Sequence, residues 1–163
     1  MPLVKNGAVV PDPFTVVEAE GPLPEGAVTV PLARLLAEGA DLAGRNSPLG
    51  VAVPNTADVR ELAPHLPHLS LVVLDFPKFR DGRAYSQARL LRERLGFTGE
   101  LRARGNVLRD QVLFMVRCGF DAFEIEKADD IPAFAKALAT YSIFYQPTGD
   151  GRPTVASLRA GHA

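Results

Sequence analysis

Between residues 50 and 140 the chain alternates short apolar runs with helical patterns four times, and nothing else in it restricts the fold as sharply. Residues 51–53, 69–76, 100–103 and 122–125 read as strands. Residues 55–66, 84–95, 107–118 and 130–140 read as the helices that follow them, with Asn55 or Thr56 capping the first and Asn106 the third. The run 69–76 is rich in Leu and Val with no polar alternation, the pattern of a strand covered on both faces. Repeated right-handed crossovers of this kind give an α/β fold with a parallel sheet and helices packed against it. Half of a (β/α)8 barrel and an open flavodoxin-like sheet both satisfy the count, and periodicity does not choose between them.

Ahead of this repeat, Asn6-Gly7 is a type I′ turn pair between Leu3-Val4 and Ala8-Val9-Val10, which predicts a small N-terminal β-hairpin. Residues 14–17 and 28–30 read as short extended pieces. Residues 32–38 read as a short helix with Leu32, Leu35 and Leu36 on one face and Gly39 as its stop. Residues 142–145 offer one more strand, and 147–163, with Pro, Gly and Thr, read as a flexible tail. Residues 1–146 are thus expected to form one α/β domain: hairpin and short strand–helix element over 1–48, four repeated units over 49–146. A chain of 163 residues is long enough for a real core.

Composition narrows the function classes. No apolar run is long enough to cross a bilayer, and the first residues lack the apolar core of a signal peptide, so a cytoplasmic location is expected. One cysteine, Cys118, makes no internal disulfide and no Cys-x-x-Cys pair. It falls in the last turn of a predicted helix, where the dipole opposes a thiolate, so a structural role is expected. His65 and His68 stand beside Pro64 and Pro67 with no third ligand, so no metal is expected. No motif indicates a cofactor.

Charge is distributed unevenly. The net charge of −1 conceals ten Lys/Arg against four Asp/Glu between residues 78 and 117, which leaves eight basic and fifteen acidic residues elsewhere. Nine of those ten cations are arginine, the residue suited to bidentate oxoanion contacts. Nucleic acid is not the expected partner, because the basic segment has Tyr85 but no interleaved aromatics and the pI is about 6.3.

The site is expected where residues 75–92 step from strand through loop to helix, since such loops lie at the carboxyl ends of sheet strands. Pro77 ends the strand, and Asp81-Gly82 turns the chain, with Asp81 placed to cap the helix. Arg83 lies at the helix start; Tyr85, Arg89 and Arg92 share the face opposite the core, and Ser86 joins the first turn. The next such step carries Arg104, Gly105, Asp110 and Gln111. Two glycines at adjacent turns, Gly82 and Gly105, leave room for an oxoanion. Asp110 either pairs with an arginine or serves the site directly. The following run, Val112 to Val116, is apolar on every side and reads as buried.

These residues also carry a resemblance. Phe-Pro-x-Phe-x-Asp-Gly-Arg-x-Tyr-Ser-x-Ala-Arg-x-Leu-Arg from Phe76, then Gly96-Phe97-Thr98-Gly99-Glu100-Leu101-Arg102-Ala103 and Asp110-Gln111, resembles a bacterial family of uncharacterised proteins encoded beside assimilatory sulfite or nitrite reductase genes. Members are often labelled oxidoreductases involved in sulfite reduction. The resemblance runs from about residue 49 to residue 123. It implies an accessory protein of sulfite (or nitrite) assimilation that binds a small oxoanion or a partner, the reductase or another assimilation enzyme, through the arginine-rich rim. The label implies instead a small oxidoreductase or a flavin-dependent subunit, with flavin as its cofactor. A half-barrel also leaves open sheet edges, from which a homodimer is expected.

Overall fold

The computed structural model describes residues 1–126 and 131–160. Among them, eight strands form one sheet: β1 (Leu3–Lys5), β2 (Ala8–Val10), β3 (Thr15–Val16), β4 (Val28–Pro31), β5 (Leu49–Val53), β6 (Leu69–Phe76), β7 (Glu100–Gly105) and β8 (Ala122–Glu124). The spatial order is β2-β1-β8-β7-β6-β5-β4-β3. Strands β3 to β8 are parallel and follow one another in chain order without reversal. The predicted hairpin is present, and β1 lies antiparallel against β8, so the sheet is mixed and not purely parallel.

The sheet has to curl. Strands β2 and β3 end opposite sides of the order, yet only residues 11–14 join them. Five Cα–Cα steps reach at most about 18 Å. Eight strands laid flat would hold their edges roughly 34 Å apart. The result is a curled, half-barrel sheet with helices on its outer face. That face packs Val28, Val30, Val51, Val53, Val72, Leu74, Leu101 and Phe123 into the main core. The alternate residues, Thr29, Gly50, Leu71, Val73, Arg102 and Ala122, point inside the curl.

Helices α1 (Leu32–Ala43), α2 (Arg83–Arg89), α3 (Val112–Arg117), α4 (Ile131–Leu138) and α5 (Val155–Ala160) complete the fold. Several depart from expectation for identifiable reasons. Residues 55–66 do not form an α-helix. They give two 3-10 turns, Val59–Leu62 and Leu66–His68, because Pro64 and Pro67 remove N–H donors and clash with the preceding turn. Gly39 does not stop α1, which kinks at Glu38 and runs on to Ala43. A Cβ at Gly39 would overlap the His65 ring, so this glycine serves close packing. Helix α2 continues as a π-turn, Leu90–Arg94, and its Ala84, Ala88 and Leu91 are fully buried.

Helix α3 is shorter than expected. Residues 107–111 form turns, and the Asn106 backbone N–H donates to Phe76 O at 2.7 Å instead of opening a helix. Nor is α3 buried all round: Val112 and Met115 face the core, whereas Phe114 is 57% exposed. Of the expected helix 130–140, Asp130 lies outside the described residues. Residues 142–145 contribute a single bridge, Phe144 to Thr154, and the segment from residue 147, read as a tail, carries α5.

Candidate functional site

Parallel pairing of β6 with β7 puts the loops 77–82 and 106–111 side by side at the carboxyl edge of the sheet. Gly105 fixes how closely. Its φ is +99°, and a Cβ there would stand 2.5 Å from Phe76 O. The room beside Gly105, expected to receive an oxoanion, is filled by the neighbouring strand's carbonyl. Gly82 is the N-cap of α2, one residue beyond the Asp81 expected in that role.

Most arginines of the expected rim are joined to carboxylates of the same chain. Asp81 receives Arg83 Nε at 2.9 Å and a second guanidinium nitrogen at 2.6 Å. The Arg83 hydrogen bonds hold the Asp81 carboxyl far below the usual carboxylate range, with Asn55 adding to the effect. Arg89 holds Glu93 through two contacts of 3.1 Å one helical turn away. Arg104 Nε donates to Asp75 Oδ1 at 2.8 Å. Arg92 is a structural tie. It donates to the carbonyls of Phe97, Gly99 and Gly119 and pairs with Asp121, which fastens the π-turn to the loops that lead into β7 and β8. Asp110 is exposed and forms no ion pair among the described residues. Gln111 is half-buried, with its Oε1 unpartnered.

The expected residues do not converge on one pocket; they divide between clefts. Tyr85, Ser86 and Arg89 line a cleft of about 490 Å3 with Phe114, Arg117 and Cys118, closed on one side by the segment Phe144 to Thr148. Tyr85 packs against Phe76 and Phe114 at ring-centre distances of 5.1 and 4.8 Å. Burial pushes its phenol up to about 12, and the nearby Cys118 and Asp110 act in the same direction. Burial likewise raises the Cys118 thiol, against the lowering effect of Arg89 and Arg117. Arg117 anchors the closing segment. Its guanidinium lies over the Phe144 ring at 3.9 Å, donates to Gln146 O and pairs with Asp150 at 3.5 Å. Arg92 borders a separate, smaller cleft.

Arg104 belongs to a third cleft, at the carboxyl mouth of the curl, with a volume of about 530 Å3. Its walls include Val16, Thr29, Pro31, Leu36, Ala52 and Asp75. Sequence reasoning missed Thr29 and Asp75. The available signal was a polar residue inside each of two otherwise apolar strands, Val-Thr-Val and Leu-Val-Val-Leu-Asp-Phe. It also missed that Arg102, counted among the basic residues of the rim segment, turns inward. Arg102 is 2% exposed and bonds Asp12 at 2.6 and 3.0 Å, Glu100 at 2.9 Å and Glu124 at 3.3 Å.

Residues 50–156 match the family model described as "Bacterial protein of unknown function (DUF934)", and the chain belongs to that family. The match takes in the closing segment and the start of α5, beyond the stretch 49–123 that carries the resemblance. No curated protein and no solved structure matches the chain. No helix among the described residues is long and apolar enough to cross a membrane.

Proposed function

We propose that this chain is an accessory protein of assimilatory sulfite (or nitrite) reduction that docks the reductase through the rim formed by the loops after β6 and β7. The pathway comes from the family resemblance. The docking role is supported by one observation: three of the four cations left over after the internal pairs of residues 78–117 are counted flank exposed apolar side chains. Lys78 and Arg80 bracket Phe79, which is 53% exposed, and Arg109 follows Leu108, which is 38% exposed. None of these three cations has a carboxylate partner among the described residues. Arg83, Arg89 and Arg104 do, which argues against a bare oxoanion site made from them. Apolar anchors within a ring of unpaired charge suit an acidic protein surface, where charge steers the encounter and the apolar groups hold it.

Biolayer interferometry of the full chain against purified sulfite reductase, and separately nitrite reductase, tests this reading. Binding to one of them is expected, and the triple variant Lys78→Glu/Arg80→Glu/Arg109→Glu should weaken it by about tenfold or more. No binding to either enzyme, or binding indifferent to the triple reversal, rejects it. The alternative, an oxidoreductase or flavin-dependent subunit, draws support from the cleft at the carboxyl mouth of the strands, where α/β enzymes place ligands. A flavin spectrum in freshly purified protein would decide for it.

A further inference from the structure

The segment from Phe144 to Asp150 has little regular structure: one β-bridge and a turn. In the bridge, the Phe144 N–H donates to Pro153 O at 3.1 Å and Phe144 O accepts from the Val155 N–H at 2.9 Å. Asp150 Oδ1 accepts from the Thr148 hydroxyl at 2.8 Å and from the Arg152 N–H at 3.2 Å. These bonds are all local to residues 144–155. Among the described residues, the hydrogen bonds, ion pairs and ring contacts that tie residues 144–152 to the earlier part of the chain all come from one side chain. Arg117 lies over the Phe144 ring, donates to Gln146 O and pairs with Asp150.

That tie is loose. Arg117 Nη1 and Asp150 Oδ2 are both closed off from solvent and stand 3.5 Å apart, and neither takes part in a hydrogen bond. A charge pair removed from water without hydrogen bonds recovers little of its desolvation cost. Apolar burial adds little, since Tyr145 is 86% exposed and its neighbours Tyr141 and Ile143 are exposed as well. Segments with few buried apolar contacts open locally, far below the free energy of global unfolding. Beneath this one lie two clefts. Gln146 and Thr148 line the cleft of about 490 Å3, Gly149 and Asp150 line the one of about 230 Å3, and Arg117 and Cys118 line both. The segment thus runs between the two, with Cys118, 5% exposed, at their shared wall.

From this arrangement we infer that residues 144–150 are a lid latched by Arg117, and that the lid opens while the rest of the chain stays folded. Opening joins the two clefts into one trough, with Cys118 at its centre and Tyr85 and Ser86 along one wall. It also releases the Arg117 guanidinium from a ring, a carbonyl and a carboxylate at once. The closed form keeps solutes from the thiol; the open form presents the thiol and a free cation side by side. The lid does not rest on the docking role: the variants that test it leave Lys78, Arg80 and Arg109 in place, so either proposal can fail without the other.

Thiol labelling of the full chain tests the inference, because Cys118 is its one cysteine. The neutral disulfide 4,4′-dithiodipyridine should label the folded chain at least about a hundredfold more slowly than the urea-unfolded chain. The rate should be flat with urea below the unfolding transition, since a small lid exposes little surface. Arg117→Met should raise it by about tenfold or more. Arg117 favours the Cys118 thiolate, so loss of its charge alone would slow the exchange, and acceleration therefore reports opening. Phe144→Ala, a change on the lid itself, should also accelerate labelling and decides the matter if Arg117→Met does not fold. Arg94→Gln removes a cation that lines neither cleft and should leave the rate within about twofold of wild type. Four results would each overturn the lid: wild-type labelling as fast as in urea, a rate that climbs from zero urea in step with global unfolding, a wild-type rate in either folded lid variant, or equal acceleration by Arg94→Gln.

Discussion

Arg102 shows how a single residue can be legible in type and misplaced in role. Read as one of ten cations in a basic segment, it belongs on the surface; in the fold it is the charge around which the inside of the curl is organised. Alternation along β7 sends Leu101 and Ala103 to the helix side, so Arg102 and Arg104 must face the other way. The sequence carries that alternation but not the fact that both faces are enclosed. Enclosure comes from residues 11–14, which cross the curl and bring Asp12 and Phe14 to the guanidinium. Arg102→Met should destabilise the chain by about 3 kcal/mol or more, since Asp12, Glu100 and Glu124 would be left facing one another; urea unfolding measures it. Asp12→Asn should cost less, about 1 kcal/mol, because Asp12 is partly solvated. Burial is the largest single influence on Asp12 and works to raise its pKa, but the Arg102 hydrogen bonds, the Phe14 backbone N–H and the charges of Arg102 and Lys5 together outweigh it and hold the carboxyl below its ordinary value of 3.8. The Asp12 contribution is therefore complete above that value and is lost as pH falls through the lower folded pKa. The stability gap between wild type and Asp12→Asn should be constant from neutral pH to about 5 and close as the acid limb is reached.

At the scale of elements, existence was easier to read than extent. All four strands of the repeat and the hairpin are where alternation and turn chemistry put them. Helix ends were harder, because the residues that decide them act through neighbours. Gly39 looks like a stop until His65 is seen above it, and Asn106 looks like a cap until its N–H is found on Phe76 O. The missed break over residues 55–66 was legible, since two prolines stand in or beside that stretch. Helix α3 makes the sharpest test. Five consecutive apolar residues suggest burial on all sides, yet a helix of six residues packed on a sheet buries one stripe. Met115→Asp is expected to cost upwards of about 3 kcal/mol, as an unpaired charge in a fully enclosed position. Phe114→Asp, one residue earlier, should cost little by the same denaturation measurement. It should instead disturb the Tyr85 ring contact, visible as a change in near-ultraviolet circular dichroism.

At the scale of the whole molecule, the uneven charge seen in the sequence is real but mostly cancelled within the fold. Arg83, Arg89, Arg92, Arg102, Arg104 and Arg117 all have carboxylate partners inside the chain. Lys78, Arg80 and Arg109 remain at the rim, and Arg94 is the last residue of the π-turn that follows α2. No count of residues could make that division, because it depends on which strands become neighbours. The open edges that point to a homodimer are equally altered by the fold: β2 and β3 have three and two residues, short enough to blunt edge-to-edge pairing. Light scattering at high concentration is expected to return the monomer mass, and a dimer mass would show that some other face pairs. On the proposed docking role, the rim of such a monomer acts by steering a different protein. Three unpaired cations against a molecule whose remaining surface is acidic make a dipole that orients the approach, and steering of this kind fades as salt shortens the screening length from about 10 Å at 0.1 M to about 3 Å at 1 M. The association rate with the reductase should therefore fall by about an order of magnitude over that range while the dissociation rate, set by Phe79 and Leu108, changes little. Arg94→Glu changes net charge as much as Arg80→Glu does but lies off the rim. It should leave the association rate within about twofold of wild type, whereas Arg80→Glu lowers it; equal effects from the two would mean that net charge, and not the rim, governs the encounter.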